Sequence, residues 1–256
     1  MIFNTHTHLN ARQFQNNYDE VIRTAIAKGV TKMVVVGFNE ETIKKAIMLA
    51  ESYDEVYASV GWHPVDAIYA NEDSFKLIEM CLNHPKVVAV GECGLDYHWD
   101  TSPKEVQMDV FKKQIDLAIK YNKPLIVHSR KSIQDTYDVL FENYADKVGG
   151  IMHCYSGSAD MINQFIEMNF MISIAGPVTF QNAKSPKEVA KEVPIDMLLV
   201  ETDCPYLAPE PYRGKQNRAH YVTHVLDAIS KIRGIGREEL DKATYDNALK
   251  IFRIGD

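Results

Sequence analysis

Short apolar runs rich in β-branched residues recur along the whole chain, each followed by a segment whose apolar positions return every three or four residues. The runs read MIFNTHTH, KMVVVG, VYASVGWHP, VVAVGECG, PLIVHSR, GIMHCYSG, FMISIAGP and MLLVETDCP. Between them, Ile22, Ala25, Ile26 and Gly29 share one helical face, and Met108, Phe111, Ile115 and Ala118 share another. The strand candidates are apolar almost throughout instead of alternating, as parallel strands covered on both faces must be. Alternation through eight such units predicts an α/β chain closed into a (β/α)8 TIM barrel, in preference to an open doubly wound sheet. REELDKATYDNALKIF predicts one more helix after the eighth unit. No composition shift or Pro/Gly/Ser-rich linker divides the sequence, so residues 1–256 are expected to form a single barrel domain.

The polar residues that interrupt this pattern fall at the carboxyl ends of the predicted strands. His6 and His8 close the first run, His63 the third, Glu92 the fourth, His128 the fifth, His153 the sixth and Asp203 the eighth. Barrel enzymes carry their chemistry at that end of the strands. In an extended strand His6 and His8 project to the same side, so the pair alone suggests a metal ligand set. Imidazole and carboxylate together suit a borderline divalent cation. Four histidines with Glu92 and Asp203 are too many donors for one tetrahedral site and about right for two cations sharing a bridging carboxylate. Glu92 is the natural bridge. His6, His8 and Asp203 then hold one ion, and His128 and His153 the other. Such a pair lowers the pKa of a shared water and neutralises charge on a phosphoryl or carbonyl oxygen, which is metal-assisted hydrolysis. Asp203 is expected both to ligate and to take the water's proton. Glu201, two residues earlier on the same predicted strand face, is a candidate to orient ligands from behind.

Composition narrows the partners. A net charge of −7 argues against a broad basic surface for nucleic acid, though not against a nucleic-acid substrate met locally at the site. No apolar stretch approaches the roughly 18 residues that span a bilayer, and the start lacks the basic and apolar regions of a signal peptide. Four cysteines without a CxxC pair predict reduced thiols and a cytoplasmic protein. Cys93, Cys154 and Cys204 each follow a proposed ligand by one residue, so alternation should turn them into the barrel–helix layer.

NTHTHL, GWHP, GECGLDY, IVHSR, HCYSG, ETDCPYLAP and RGKQN resemble, in order and spacing, the signature segments of the TatD family of metal-dependent hydrolases, over nearly the whole chain. The resemblance implies a TIM-barrel enzyme of the amidohydrolase-like kind acting as a divalent-metal-dependent deoxyribonuclease. It carries over the same six ligands, His6, His8, Glu92, His128, His153 and Asp203. The family's usual opening is closer to D-[ST]-H-x-H-L-D, and Asn4 and Asn10 stand here at its two acidic positions. Neither is a ligand in that pattern.

Around this centre His63, in a rigid turn between Trp62 and Pro64, is expected to contact substrate phosphate. Arg130 and Arg213 are candidates to clamp phosphate oxygens. Tyr97 and Tyr155 could stack on a base, though packing is the simpler expectation for each. The resulting expectation is a cytoplasmic monomer that uses two divalent cations (Mg, Mn or Zn) to cleave DNA from a strand end. Two rivals keep the barrel and change the activity: hydrolysis at a carbonyl centre, as in amidohydrolases or an aminoacyl-ester deacylase, or a non-catalytic barrel that binds nucleic acid or a partner. The bridging carboxylated lysine expected of amidohydrolases has no counterpart at the end of the fourth strand, where Glu92 stands.

Overall fold

A computed structural model describes residues 1–255 and turns the eight runs into eight strands. They are β1 (Ile2–Thr7), β2 (Val30–Gly37), β3 (Val56–Val60), β4 (Val87–Asp96), β5 (Leu125–Arg130), β6 (Gly150–Met152), β7 (Phe170–Ile174) and β8 (Leu198–Val200). Each pairs in parallel with the next, giving one sheet in the order β1 to β8. The seam is closed at the top, where the Asp203 N–H donates to the His6 carbonyl (3.1 Å) and the His8 N–H to the Cys204 carbonyl (2.8 Å). Closure of the barrel therefore runs through the backbone of the candidate ligands themselves. Helices α1 (Tyr18–Ala27), α2 (Glu40–Ser52), α3 (Glu72–Cys81), α4 (Lys104–Tyr121), α5 (Ile133–Glu142), α6 (Ile162–Glu167), α7 (Lys184–Glu192) and α8 (Val222–Arg233) connect or follow the strands. The extra helix is α9 (Arg237–Phe252). Among the described residues, no helix is long and apolar enough to cross a membrane.

Local chemistry explains several boundaries. Asn39 caps α2 by accepting from the Thr42 N–H (3.0 Å), while Thr42 Oγ1 accepts from the Asn39 N–H (2.9 Å), a reciprocal capping box. Asn71 and Ser74 do the same for α3. The helical stripes bury in part: Ile22 and Ala25 on α1, and Phe111, Ile115 and Ala118 on α4, are fully enclosed, Ile26 and Met108 are half-buried, and Gly29 lies beyond the end of α1 and is exposed.

Two apolar layers result. One lies between sheet and helices. The other fills the barrel floor with Phe3, Val34, Val88, Ile126, Met171 and Leu199, and is plugged from below by Tyr245, Ala248 and Phe252 of α9. Asn247 of α9 reaches the carbonyls of Ile195 and Leu198 and locks the plug to β8. The floor is dry and close-packed, which leaves the mouth free for chemistry.

The strands that carry the first and fourth sets of polar residues are irregular at the same points. Asn4 faces Met33 and Thr7 faces Val35, so β1 advances three residues where β2 advances two. Val90 faces Leu125 and Cys93 faces Val127, the same slip around Glu92. Bulges of this kind re-aim a side chain at a barrel rim.

Candidate metal centre

Glu92 sits at the centre of the mouth, 3% exposed, and its two oxygens face different neighbours. Oε2 lies 3.6 Å from His6 Nε2 and 3.7 Å from His8 Nε2. Oε1 lies 3.1 Å from His128 Nδ1, 3.5 Å from His63 Nε2 and 3.6 Å from His153 Nε2. On the first side Asp203 Oδ1 approaches His8 Nε2 at 3.1 Å and His6 Nε2 at 3.7 Å. The Nε2 atoms of His6 and His8 themselves meet at 3.1 Å. All six side chains named from the sequence thus converge within one small volume. His153 stacks on His6 with ring centroids 3.6 Å apart, which joins the two sides.

Two of the imidazoles, His128 and His153, have a carboxylate behind the nitrogen turned away from Glu92. Asp96 Oδ2 lies 2.8 Å from His128 Nε2, so that nitrogen carries the proton and Nδ1 is left to face Glu92. Glu201 Oε1 lies 2.7 Å from His153 Nδ1, an ion-pair approach outside hydrogen-bond geometry, while Nε2 faces Glu92. Asp96, not Glu92, is the last residue of β4: the strand runs four residues past the predicted end at Glu92, and that even spacing along β4 is the signal that could have found Asp96. His63 is different: its Nδ1 accepts the Val65 N–H (3.2 Å), so the neutral ring carries its proton on Nε2, toward Glu92. That makes His63 a hydrogen-bond donor into the site. The turn that presents it is pinned by Gln114, whose Oε1 accepts the Trp62 N–H (2.7 Å) and whose Nε2 donates to the Trp62 carbonyl (3.0 Å).

The strand exits are built to bring these groups close. Gly94 has φ +127°, and a Cβ there would overlap the carbonyl oxygen of His128, so β4 and β5 can approach only with glycine at this position. Asn4 ties β1 to the segment after β8. Its amide donates to Thr202 Oγ1 (2.8 Å) and the Ala219 carbonyl (3.0 Å), and its oxygen accepts the Thr202 N–H (3.1 Å). Asn10 donates to the carbonyls of Val36 and Thr42. A carboxylate could make none of these donations, which gives both amides a structural purpose. Asn217 of the RGKQN segment, buried, donates to the carbonyls of Thr202 (2.7 Å) and Tyr206 (2.6 Å) and clamps the Pro-rich loop beside Asp203.

Electrostatics follow from packing three buried imidazoles, His6, His8 and His153, and the half-buried His63 and His128 around two carboxylates. Burial acts to raise the Glu92 pKa, but His63, His128 and His6 outweigh it and hold the carboxyl well below its ordinary range. Asp203 is likewise held low, against burial, by His8 and His153. Burial and the neighbouring His153 push His6 down, which keeps its nitrogens available as bases. His128 is raised because Asp96 and Glu92 overcome burial. His153, against a large burial effect, is pushed up to about 10 by Glu201.

Several other expectations can be placed. Arg130 is exposed and lines the 630 Å³ cavity above the cluster, together with His63, Asp96, Trp99, Cys154 and Tyr206. Arg213 is not among the lining residues, and its guanidinium lies 4.2 Å over the Phe180 ring. Cys93 and Cys204 are buried in the barrel–helix layer, whereas Cys154 turns into the cavity. The reason is that β6 ends at Met152 and Cys154 has φ +40°, so strand alternation no longer governs it. For the same reason Glu201, beyond the end of β8, meets His153 through a loop and not along a strand face. Tyr97 donates its hydroxyl to Asp135 (2.8 Å) and Tyr155 to the Ser158 carbonyl (3.0 Å), so both are packed.

The donor set fits a divalent cation. His6, His8 and Asp203 offer ligand atoms within 4.8 Å of one another, and so do His63, Glu92 and His128. His6 Nδ1 and His8 Nδ1 are buried without partners, so no protein group among the described residues fixes the tautomer of either ring and each Nε2 can face the cluster as the unprotonated nitrogen. Two enclosed carboxylates are costly unless cations or protonated imidazoles such as His153 compensate them.

Comparison with known proteins agrees with this geometry. The family profile described as TatD related DNase matches residues 3–253. A Bacillus subtilis (strain 168) protein named as the uncharacterized metal-dependent hydrolase YabD is 50% identical over 254 residues, spanning 99% of this chain and all of that relative. The 3'-5' ssDNA/RNA exonuclease TatD of Citrobacter rodentium is 31% identical over 259 residues, covering 99% and 98% of the two chains. Among solved structures, the TatD homolog YJJV of Escherichia coli K12 superposes with a TM-score of 0.94 at 28% identity, over 99% and 98% of the respective chains.

Proposed function

The chain belongs to the TatD-related family of metal-dependent hydrolases, and on that premise we propose that it hydrolyses phosphodiester bonds of DNA from a strand end, using two divalent cations. The observation that carries this reading is Glu92, whose separate oxygens face two separate groups of donors. His6, His8 and Asp203 would hold one cation, His128 and His153 the other, and Glu92 would bridge them. When bound, such cations lower the pKa of a nearby water toward neutrality and offset charge gathering on phosphoryl oxygens.

The chain's own residues supply the rest. Asp203, kept ionised by His8 and His153, accepts the proton of the attacking water. His63 Nε2–H donates to a non-bridging phosphate oxygen, since its Nδ1 is already occupied by the Val65 N–H. Arg130, exposed on the cavity wall, holds a phosphate oxygen by its planar fork. Asp96 keeps His128 in one tautomer, and Glu201 sets a negative charge against His153 Nδ1. Four unpaired cysteines are consistent with a reducing, cytoplasmic setting, and we place the enzyme there as a monomer.

The test is incubation of purified protein with end-labelled single-stranded DNA and, separately, with a simple carboxyl ester, each with Mg²⁺, Mn²⁺, Zn²⁺ or EDTA. The reading predicts stepwise shortening of the DNA that EDTA abolishes. Ester cleavage with intact DNA would overturn it in favour of carbonyl chemistry.

A further inference from the structure

The lip of the mouth carries an aromatic surface that the hydrolytic chemistry does not use. Trp99 is 53% exposed and lines the 630 Å³ cavity. Of the exposed large apolar side chains, Trp99, Tyr206 and Leu207 line this cavity, and the indole offers the broadest flat face.

The loop beneath Trp99 is built, not loose. Asp96 Oδ1 accepts the N–H groups of His98 (2.8 Å) and Trp99 (3.3 Å). Gln107 fastens Asp96 in turn, its Oε1 accepting the Asp96 N–H (2.8 Å) and its Nε2 donating to the carbonyls of Asp96 (3.0 Å) and Ser102 (2.9 Å). His98 braces the indole edge-on, with centroids 4.8 Å apart. Because the other oxygen of Asp96 holds His128, one carboxylate sets the spacing between the exposed ring and the metal cluster. Arg130 completes the wall, its guanidinium carbon 5.9 Å from the indole centroid.

We propose that Trp99 is a stacking platform for an unpaired nucleobase flanking the scissile phosphate, with Arg130 contacting the phosphate of that same nucleotide. The proposal rests on the nucleic-acid reading above and deepens it. A net charge of −7 leaves little sequence-independent attraction to a phosphate backbone away from the mouth, so affinity beyond the cations, His63 and Arg130 needs another source. Stacking on an aromatic side chain supplies it, is indifferent to base identity, and requires a base whose face is free. A fully paired end offers no such face until it frays.

Steady-state kinetics of Trp99→Ala and Trp99→Phe are measured on a single-stranded oligonucleotide and on versions with an abasic residue at the terminal or penultimate position. On the intact strand Trp99→Ala is expected to lose about 10-fold in kcat/KM, carried by KM, with Trp99→Phe retaining most of the wild-type value. With an abasic residue at the contacted position, wild type and Trp99→Ala should converge. Equal losses on intact and abasic strands would mean that the ring only shapes the loop, and no loss would mean that it touches nothing; either overturns the platform. A second readout does not depend on cleavage. Trp62, the other tryptophan, is 7% exposed and donates to the Asp66 carbonyl, so quenching of indole fluorescence by a cleavage-resistant phosphorothioate strand reports on Trp99. Quenching that needs the base, in a protein that cuts no DNA, would sustain the platform and sink the nuclease reading. Cleavage of DNA without quenching would do the reverse.

Discussion

Asp96 Oδ2 stands 2.8 Å from His128 Nε2, and the opposite nitrogen of that ring stands 3.1 Å from Glu92. A carboxylate behind an imidazole fixes its tautomer and its direction, and removing one costs roughly 10- to 100-fold in metal affinity. Asp96→Asn should therefore weaken one of two cation-binding events by about that factor and leave the other unchanged. The amide can keep the cap over His98 and Trp99, so the loop survives. Calorimetric titration of the cation-free protein checks this, and two unaltered binding steps would deny Asp96 its role.

Proton balance gives a second expectation. His128 and His153 are both raised above their ordinary value, by Asp96 with Glu92 and by Glu201 respectively, and His153, pushed up to about 10, carries a proton at pH 7 in the cation-free protein. Imidazole ligates only as the neutral base, so cation uptake there releases protons. Affinity should then rise with pH, continuing toward about 10 for the His153 contribution, and fall as the pH drops. Glu201→Gln removes the main influence holding His153 up and should reduce the protons released. Titrations in buffers of different ionisation heat count those protons directly; a count of zero at pH 7 would contradict the assignment.

Gly94→Ala tests the closeness of β4 and β5. The new methyl meets the His128 carbonyl at a backbone angle L residues avoid, and the expected cost is about 3 kcal/mol from strain and overpacking together. Urea denaturation measures it. A loss under about 0.5 kcal/mol, the range of an ordinary surface change, would show that the strands can part freely.

Asn4→Asp asks whether the amide at the family's acidic position is interchangeable here. The substitution sets a carboxylate against the Ala219 carbonyl in a fully enclosed site, and about 1–3 kcal/mol of stability should be lost. Unchanged stability in the same denaturation experiment would mean that the seam between β1 and the end of β8 does not depend on this donor.

How far the sequence reached can be judged from particular residues. The barrel was legible because parallel strands covered on both faces leave uninterrupted apolar runs, and because ligand-type side chains such as His128 and His153 break those runs toward or just past their carboxyl ends, although Glu92 falls inside β4, four residues before its end. Convergence of the six named side chains followed from that placement. What stayed hidden depends on departures from regular geometry. The bulges at His6 and Glu92 leave no mark on a hydrophobic pattern. Cys154 and Asp203 adopt positive φ outside any strand, so alternation misplaced the thiol. Asp96 and Trp99 escaped notice because their importance lies in what they touch across the chain, which residue type alone does not reveal.

The most direct test of the account is the relationship between the two cations. Protein loaded with Mn²⁺ should bind two equivalents and give the electron paramagnetic resonance spectrum of an exchange-coupled pair, with Glu92→Ala collapsing it to isolated ions or fewer equivalents while the fold persists. A single equivalent, or two uncoupled ions in the unaltered protein, would contradict a centre built around Glu92.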